Sequence, residues 1–385
     1  MFLRFLHTAD WHLGRIFYGV HLTDDQAYVL DELVRLVKDT EPDVVLIAGD
    51  VYDRAVPPIE AVKLLDDVLT RLVMECGVQV ILVAGNHDSP ERLGFAGRLL
   101  VSRGLHIVGE PRNDAQPLVI YDQWGPVYFC PIPYAEPPVI QERFGMQEVG
   151  NHEQAMKAVV SQMVSRLPRG ARSVAVAHAF VAGAEASESE RPLAVGTAGT
   201  VSRECFLTFN YTALGHLHRP QSAGGDSIRY SGSLLKYSFA EASHRKSVSL
   251  VELDGEGNVT LEEIPLSPRR DVRCLEGYLA DLLKGPHGGG SCHDYLMITL
   301  NDEGAILDAM GRLREVYPNL LHVDRPHLVP RAENIRPSTD HRKMTVLDLF
   351  SSFFEQVTSR PLAQEEAKAF ARVVEDWGRK ERETE

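Results

Sequence analysis

Five apolar segments of this sequence are each followed directly by residue types that bind divalent metal ions. They lead into Asp10-Trp11-His12, Gly49-Asp50, Gly85-Asn86-His87-Asp88, His178 and Gly215-His216-Leu217-His218. Imidazole nitrogens and carboxylate oxygens suit manganese, iron or zinc, and these segments offer no thiolate. Two such ions about 3.5–4 Å apart can hold a phosphate, activate a bridging water and stabilise the attacking and leaving oxygens. The pattern therefore predicts a two-metal centre for phosphate chemistry.

The spacing within these segments supports the same interpretation. Asp10 and His12 lie two residues apart, so an extended backbone would turn both side chains to one face. The Asp50 carboxylate can bridge two cations, and the Asn86 amide oxygen can bind a cation without adding charge. Sharp backbone turns are expected at the neighbouring glycines, Gly49, Gly85 and Gly215.

Each of these residues also has an ordinary structural explanation. A single buried histidine is usually a satisfied core residue, and Asn-His or Gly-Asp after a strand is a common turn. Five such strand ends in one chain make coincidence a poor explanation for the whole set.

The segments between these residues predict alternating strands and helices. Buried strands are indicated by apolar, β-branched runs at residues 2–6, 44–48, 78–84, 127–130, 173–177 and 211–214. Amphipathic spacing predicts a first helix capped by Thr23 or Asp24, and further helices that span 57–75 and 91–103. Short strands with helices between them indicate an α/β sandwich, and the carboxyl ends of its strands are the expected place for a site.

The pattern changes after residue 265, which predicts further domains. A hairpin (247–253 and 259–264) is predicted before this point and a linker (265–270) at it. The predicted elements that follow are three strands (272–274, 295–300 and 320–323), two helices (275–284 and 303–316), a second linker (331–341) and two final helices (346–357 and 364–379). The predicted domains are residues 1–265, 270–335 and 342–385.

Composition excludes several classes of protein. Hydrophobic residues make up 44% and charged residues 24%, which is usual for a globular chain and excludes a disordered one. Acidic residues outnumber basic ones by 54 to 40, so bulk positive charge does not drive binding to nucleic acid. Five scattered cysteines without a CxxC pair argue against a disulfide framework or a cysteine zinc site. Without a signal-like segment or a run of about 18 apolar residues, the chain is expected to be soluble and cytoplasmic.

The ordered set of candidate ligands resembles the calcineurin-like metallophosphoesterases. The longer motifs around them resemble the SbcD family of bacterial nuclease subunits. They are His7-Thr-Ala-Asp-Trp-His-Leu-Gly14, Ala48-Gly-Asp-Val-Tyr-Asp53, Ala84-Gly-Asn-His-Asp-Ser89, Ser189-Glu-Arg-Pro192, Leu214-Gly-His-Leu-His-Arg219 and Tyr230-Ser-Gly-Ser233. The resemblance is dense in the first 265 residues and continues more weakly to Thr345-Val-Leu-Asp-Leu-Phe350.

The resemblance implies a fold and an activity. The fold would be a two-sheet αββα metallophosphoesterase sandwich, a small α+β capping domain that contacts DNA, and a C-terminal helical pair. The activity would be that of a manganese-dependent DNA nuclease, with Mg²⁺, Fe²⁺ or Zn²⁺ as alternative metals. It would degrade double-stranded ends 3′ to 5′ and cut hairpins or blocked ends. Its roles would lie in DNA double-strand-break repair, recombination and replication.

The resemblance also implies a role for each candidate ligand. One metal would be bound by Asp10, His12, Asp50 and His218, and the other by Asp50, Asn86, His178 and His216. His87 would be the catalytic histidine that protonates the leaving 3′ oxygen or stabilises the phosphorane, although a structural role beside the ligands is the alternative.

Three further residues are expected to support the site. Asp53 stands where archaeal and eukaryotic relatives have a second histidine, and an ionised carboxylate cannot donate a proton. We therefore expect Asp53 to orient His87 or a nearby basic group. Asp88 and Arg219 are expected to support the ligands or the local structure.

The resemblance implies protein partners as well. The aromatic faces of the two final helices would bind an SbcC-type, SMC-like ATPase, through Leu347, Phe350, Phe353, Phe354, Phe370 and Trp377. The alternative is that these helices pack back onto the nuclease domain. The helices near 60–75 and 91–103 would form a homodimer bundle within a heterotetramer.

Two other functions remain open from the sequence. One is a metallophosphoesterase that acts on nucleotides or phosphoproteins, although such an enzyme does not need the small domain and the aromatic tail. The other is a catalytically silent adaptor of a DNA-tethering ATPase, which the complete set of candidate ligands argues against.

Overall fold

The computed structural model describes residues 2–190, 199–304, 306–326, 345–358 and 360–384. The side chains of residues 356–357 and 375–384 lie outside this described part. The chain divides into two units, Met1–Val272 and Arg273–Glu385. No helix within the described ranges is long and apolar enough to cross a membrane.

The described part of the first unit contains sixteen strands. They are β1 (Leu3–Thr8), β2 (Ile16–Phe17), β3 (Val20–His21), β4 (Val44–Ala48), β5 (Gln79–Val83), β6 (Leu105–Val108), β7 (Leu118–Asp122), β8 (Gly125–Ile132), β9 (Arg172–His178), β10 (Phe180–Val181), β11 (Thr200–Val201), β12 (Tyr211–Gly215), β13 (Gln221–Ser222), β14 (Ile228–Tyr230), β15 (Ser247–Leu253) and β16 (Val259–Pro265). Its α-helices are α1 (Thr23–Thr40), α2 (Ile59–Thr70), α3 (Pro90–Leu93), α4 (Gly97–Leu100), α5 (Pro137–Phe144) and α6 (His152–Val164).

Most of these strands form two six-stranded sheets. The first has the order β16-β15-β1-β4-β5-β6 and the second the order β13-β14-β12-β9-β8-β7. Alternate side chains from both sheets form one buried cluster, in which Phe5 and Leu46 of the first sheet meet Phe129 and Val174 of the second. This arrangement confirms the α/β sandwich predicted from the sequence.

Helices cover the outer faces of the sheets. Helix α1 buries the residues of its predicted apolar face, Val29, Leu30, Leu33, Val34 and Val37. Helix α6 packs on the second sheet through a stripe of buried residues, Ala155, Met156, Val159, Val160 and Met163. Each stripe follows the three- and four-residue spacing that brings helical side chains to one face.

Two predictions about helices in this unit were wrong in detail. The N-cap of α1 is Leu22 without a side-chain hydrogen bond, and neither Thr23 nor Asp24 caps it. The predicted helix over 91–103 is broken into α3, α4 and a 3₁₀ turn, because Ala96 between them has a left-handed backbone with φ of 59°. Helix α2, by contrast, continues into a π-helical turn at Arg71–Glu75, as the prediction of 57–75 required.

The second unit contains a small sheet and two longer helices. Its elements are β17 (Val272–Gly277), α7 (Leu279–Leu282), β18 (Tyr295–Leu300), α8 (Ala309–Arg314), β19 (Leu320–Asp324), α9 (Val346–Thr358) and α10 (Gln364–Thr384). The sheet order is β17-β18-β19, and the two short helices bury one face of it around Leu296, Ile298 and Leu313. The predicted helix over 275–284 was wrong, since the strand continues to Gly277 and only four residues are helical. The helix predicted at 303–316 is also shorter, and the predicted linker 331–341 lies outside the described residues.

The predicted linker at 265–270 is attached to the first unit. The Arg270 guanidinium lies 3.0 Å from the buried Asp25 carboxylate on α1, and the Ser267 amide donates to Glu32 of the same helix. A buried carboxylate needs such a partner, so this segment is held in place.

A substitution at Phe129 would test the packing between the two sheets. It is fully buried, and its ring meets that of Phe5 edge-on at 5.9 Å. We expect Phe129→Ala to lower the free energy of unfolding by about 3–5 kcal/mol, measured by urea titration, because a large cavity forms between two rigid sheets. The control Val119→Ala, at an exposed position of β7, should cost less than about 1 kcal/mol. Equal losses in the two variants would contradict the packing described here.

Candidate metal centre

Loops at the carboxyl ends of five strands meet where the two sheets come together. They follow β1, β4 and β5 of the first sheet and β9 and β12 of the second. Seven side chains that can bind metals lie together there: Asp10, His12, Asp50, Asn86, His178, His216 and His218. All except the partly exposed Asn86 are buried.

These side chains form two groups that share Asp50. In the first, His12 Nε2 lies 3.0 Å from His218 Nε2 and 3.7 Å from Asp50 Oδ2, and Asp10 offers an oxygen within 4.8 Å of both His12 and Asp50. In the second, Asn86 Oδ1 lies 2.8 Å from His178 Nε2 and 3.0 Å from His216 Nδ1. Asp50 Oδ2 is 3.5 Å from His178 Nε2, so one carboxylate lies between both groups.

The electrostatics of the site suit divalent cations. Burial lowers the pKa of His12 to about 4 and also lowers the pKa of His178 and His216, so these imidazoles are neutral and keep a lone pair for a metal. Burial, and then repulsion from Asp50, raise the pKa of Asp10 well above its usual value. A bound cation would remove this conflict between two buried carboxylates. The donor set therefore fits two divalent ions.

The backbone around these residues is strained. In the described part of the chain, eight non-glycine residues have a positive φ, and four of them are Asp10, His12, Asp50 and His216. Such conformations cost roughly 1–3 kcal/mol each and persist only where the surroundings hold them. Part of this support comes from hydrogen bonds between the first two loops, from Asp10 N to Gly49 O (3.0 Å) and from His12 N to Asp50 O (2.9 Å).

The three glycines beside the ligands have different roles. Gly49 has a φ of 88° and allows the expected sharp turn. Gly85 and Gly215 were predicted to do the same, but they are needed because no space exists for a side chain. A Cβ on Gly85 would overlap the backbone nitrogen of Asp50, and one on Gly215 would overlap the carbonyl oxygen of Ala48.

His87 lies at the edge of this cluster. Its backbone N–H donates to Asp50 Oδ1 (2.8 Å), and its Nδ1 lies 2.8 Å from the backbone carbonyl oxygen of Asp53. A carbonyl oxygen only accepts hydrogen bonds, so Nδ1 carries the proton in this contact. The other nitrogen, Nε2, lies 4.0 Å from Asp50 Oδ2 and faces the ligands.

Asp53 supports the site through both its backbone and its side chain. Its carbonyl orients His87, whereas its carboxylate accepts from Arg15 (2.8 Å) and lies 3.6 Å from His12 Nδ1. Burial opposes ionisation, but the contacts with His12 and Arg15 prevail and lower the pKa of Asp53 to about 2. The carboxylate therefore supports the candidate ligand His12 and the basic group of Arg15, and the backbone carbonyl supports His87.

The other two supporting residues differ from each other. The buried Asp88 carboxylate accepts from the backbone N–H groups of Val51, Tyr52 and Gly85, and so joins the second and third loops. Arg219 was expected to support the ligands or the local structure, and its exposed guanidinium forms an ion pair with Glu185. The side chain that follows His218 thus makes a local structural contact at the surface.

Comparison with known proteins agrees with the fold and with the predicted class of enzyme. A family model described as calcineurin-like phosphoesterase matches residues 3–119, and one described as type 5 capsule protein repressor C-terminal domain matches residues 268–358. A curated protein of Staphylococcus epidermidis, the SbcD component of the nuclease SbcCD, is 32% identical over 364 residues, which are 94% of this chain and 95% of that protein. This chain belongs to the SbcD family. The phosphoesterase match also confirms the prediction of a metal-dependent phosphodiesterase.

Two solved structures overlap with part of this SbcD-family chain. A dimetal phosphatase from Danio rerio is 14% identical and covers 69% of this chain and 96% of its own, with a TM-score of 0.42. A Thermus thermophilus protein is 13% identical and covers 68% of this chain and 99% of its own, with a TM-score of 0.37.

A buried ionic network behind His218 was missed by sequence reasoning. Glu241 Oε1 lies 3.2 Å from His218 Nδ1, and Lys246 donates to the other oxygen of Glu241 at 2.5 Å. Ser189 Oγ lies 2.8 Å from the same histidine nitrogen, and Glu190 accepts from the His218 amide. Ser189 and Glu190 belong to a family motif quoted above, whereas nothing local in the sequence marks Glu241 or Lys246.

Some aromatic side chains in the two final helices of this SbcD-family chain pack against each other. The rings of Phe350 on α9 and Phe370 on α10 stack at 3.8 Å with an interplanar angle of 3°. Arg360 lies over the Phe354 ring at 4.7 Å. Phe350 and Phe370 were expected on a partner surface, but they join the two helices, because each helix needs the apolar face of the other. Leu347 and Phe353 remain exposed, and the Trp377 side chain lies outside the described residues.

A substitution at Gly85 would test how closely the loops that follow β4 and β5 approach each other. We expect Gly85→Ala to lower the free energy of unfolding by about 1–3 kcal/mol and to weaken binding of divalent metal ions, because its Cβ would displace Asp50. Calorimetric unfolding and manganese titration would measure the two effects. The control is Gly150→Ala, whose Cβ would lie 3.7 Å from the Gln154 side chain in ordinary contact. Unchanged manganese binding by Gly85→Ala would refute the steric role of this glycine.

Proposed function

We propose that this chain is the manganese-dependent DNA nuclease component of a complex with an SbcC-type, SMC-like ATPase. The observation that carries the proposal is the pair of donor groups that share Asp50, with His87 beside them. One group would be the first metal site (Asp10, His12, Asp50 and His218) and the other the second (Asp50, Asn86, His178 and His216). The name of the Staphylococcus epidermidis relative supports both the nuclease activity and the SbcC partner.

The residues of the site have different roles in phosphodiester hydrolysis. Two bound divalent ions would hold the scissile phosphate and activate the attacking water. His87 has its Nδ1–H held by the Asp53 carbonyl, so its Nε2 is available at the reacting phosphate. When Nε2 also carries a proton, the His87 imidazolium donates that proton to the leaving 3′ oxygen or stabilises the phosphorane. Arg15 keeps the Asp53 carboxylate in place beside His12.

The proposed substrates are double-stranded DNA ends, degraded 3′ to 5′, and hairpins or blocked ends. The net charge of −14 supports a division of labour in which the ATPase partner supplies much of the DNA affinity. We also propose that residues 270–335 contact DNA as a capping domain, and that residues 342–385 bind the ATPase. The complex would act in the cytoplasm as a heterotetramer with two copies of this chain.

Two substitutions test the catalytic assignment. We expect His87→Ala to reduce manganese-dependent cleavage of a linear duplex and a hairpin-ended duplex by about 10²–10⁴-fold, because it removes a proton donor. Manganese binding should be retained. Asp50→Ala should abolish both binding and cleavage, because both donor groups lose their shared carboxylate. Gel assays with end-labelled DNA, with and without the ATPase, measure cleavage, and titration calorimetry measures binding.

The same assay separates the alternatives. If the wild type binds manganese and hydrolyses a mononucleotide ester but cuts neither DNA, then DNA is not the substrate. If the wild type binds no divalent metal, the chain is a silent adaptor. Full cleavage by His87→Ala would refute the role proposed for this histidine.

Phe353 tests the proposed partner surface. Its side chain is 60% exposed on α9, and so an aromatic anchor is available to the ATPase. We expect Phe353→Ala to weaken binding of the ATPase by about tenfold or more in a pull-down titration. Glu355→Ala, an exposed position on the same helix, should have little effect. Equal binding by both variants would place the ATPase elsewhere on the chain.

A further inference from the structure

A fully buried glutamine on α1 binds the loop that carries the first two candidate ligands. Gln26 Nε2 donates to the carbonyl oxygens of Trp11 (3.1 Å) and His12 (2.7 Å), and Gln26 Oε1 accepts from the backbone N–H of Gly14 (3.0 Å). One side-chain amide thus satisfies three backbone groups of the loop between Asp10 and Gly14.

A buried tyrosine from a segment distant in the sequence holds the same loop. The Tyr237 hydroxyl donates to the Trp11 carbonyl at 2.5 Å and lies 3.2 Å from Gln26 Nε2. Its ring also meets the His12 ring at 5.4 Å. Gln26 and Tyr237 therefore share one acceptor and contact each other, and we call this pair the loop clamp.

The loop needs such support for two reasons. Asp10 and His12 both have left-handed backbone conformations, which persist only when the surroundings hold them. Trp11 is completely buried, and both hydrogen bonds that the structure gives to its carbonyl come from side chains of the clamp. Without the clamp, this carbonyl and the Gly14 amide would lose partners that water cannot easily replace.

We propose that Gln26 is a positioning residue, assisted by Tyr237, that holds Asp10 and His12 in the geometry that binds metal. The inference rests on the proposed function, because it takes these two residues as metal ligands. Gln26 binds backbone groups of the loop and the Tyr237 hydroxyl, so it acts on the side chains of Asp10 and His12 only through the backbone. A glutamate cannot replace it, since a carboxylate has no N–H to donate to the two carbonyls.

Three variants test the clamp. Gln26→Met keeps the length of the side chain and removes every hydrogen bond, and Tyr237→Phe removes only the hydroxyl. The matched control is Asn210→Leu, which also deletes an amide that binds backbone. Asn210 accepts from Ser173 N and donates to Gly257 O, at the opposite end of β9 and β12 from the ligands.

The first measurement is manganese affinity, from the electron paramagnetic resonance signal of free Mn²⁺. We expect Gln26→Met to weaken binding by about 10–100-fold and Tyr237→Phe to weaken it less, because Trp11 keeps one donor. Asn210→Leu should leave the affinity unchanged even where it lowers the melting temperature. DNA cleavage by Gln26→Met should recover at high manganese concentration, because the chemistry of His87 is intact.

The second measurement does not require metal. In the presence of EDTA, hydrogen exchange at residues 10–14 should be faster in Gln26→Met than in the wild type or Asn210→Leu. Wild-type affinity and wild-type exchange in Gln26→Met would overturn the clamp. A wild-type protein that binds no manganese, combined with faster exchange in Gln26→Met, would remove the proposed function and leave the loop clamp as a structural device.

Discussion

The concentration of polar groups inside the sandwich is the constraint on which the rest of the structure depends. Two carboxylates and four histidines are buried where two sheets meet, and burial of charge is costly unless each group has a partner. The surrounding residues supply those partners. The backbone N–H groups of His216 and His87 donate to the Asp10 and Asp50 carboxylates. Glu241, itself paired with Lys246, lies 3.2 Å from His218 Nδ1. The site is therefore a network that extends well beyond the ligands.

Close approach of the loops is the second consequence of this arrangement. Donor groups from five strands converge only if the backbones that carry them nearly touch, so Gly85 and Gly215 have no space for a side chain. The strained backbones of Asp10, His12, Asp50 and His216 lie in the same loops. Two sheets joined by a continuous apolar core provide a rigid support that can hold such strain.

The second unit is held together mainly by apolar packing. Its small sheet buries one face under two short helices, and the helical pair α9–α10 is joined by stacked phenylalanines. Exposed apolar side chains remain on α9 at Leu347 and Phe353. Part of the aromatic pattern is thus explained within the chain, and the rest supports the proposed contact with an ATPase.

The sequence by itself determined the strands that lead into the site, the first two helices and the set of side chains that follow those strands. This information is local, because a buried strand requires an apolar run and a strand end marks the edge of the sheet. Only the tertiary structure decided which residues support that set. Gln26 binds Trp11 across 15 residues, Glu241 meets His218 across 23, and Tyr237 binds Trp11 across 226. No local pattern records such contacts. The exposed position of Arg219 and the pairing of Phe350 with Phe370 were likewise set by neighbours from other elements. Residue type and spacing determine which elements form, whereas packing determines which side chain meets which.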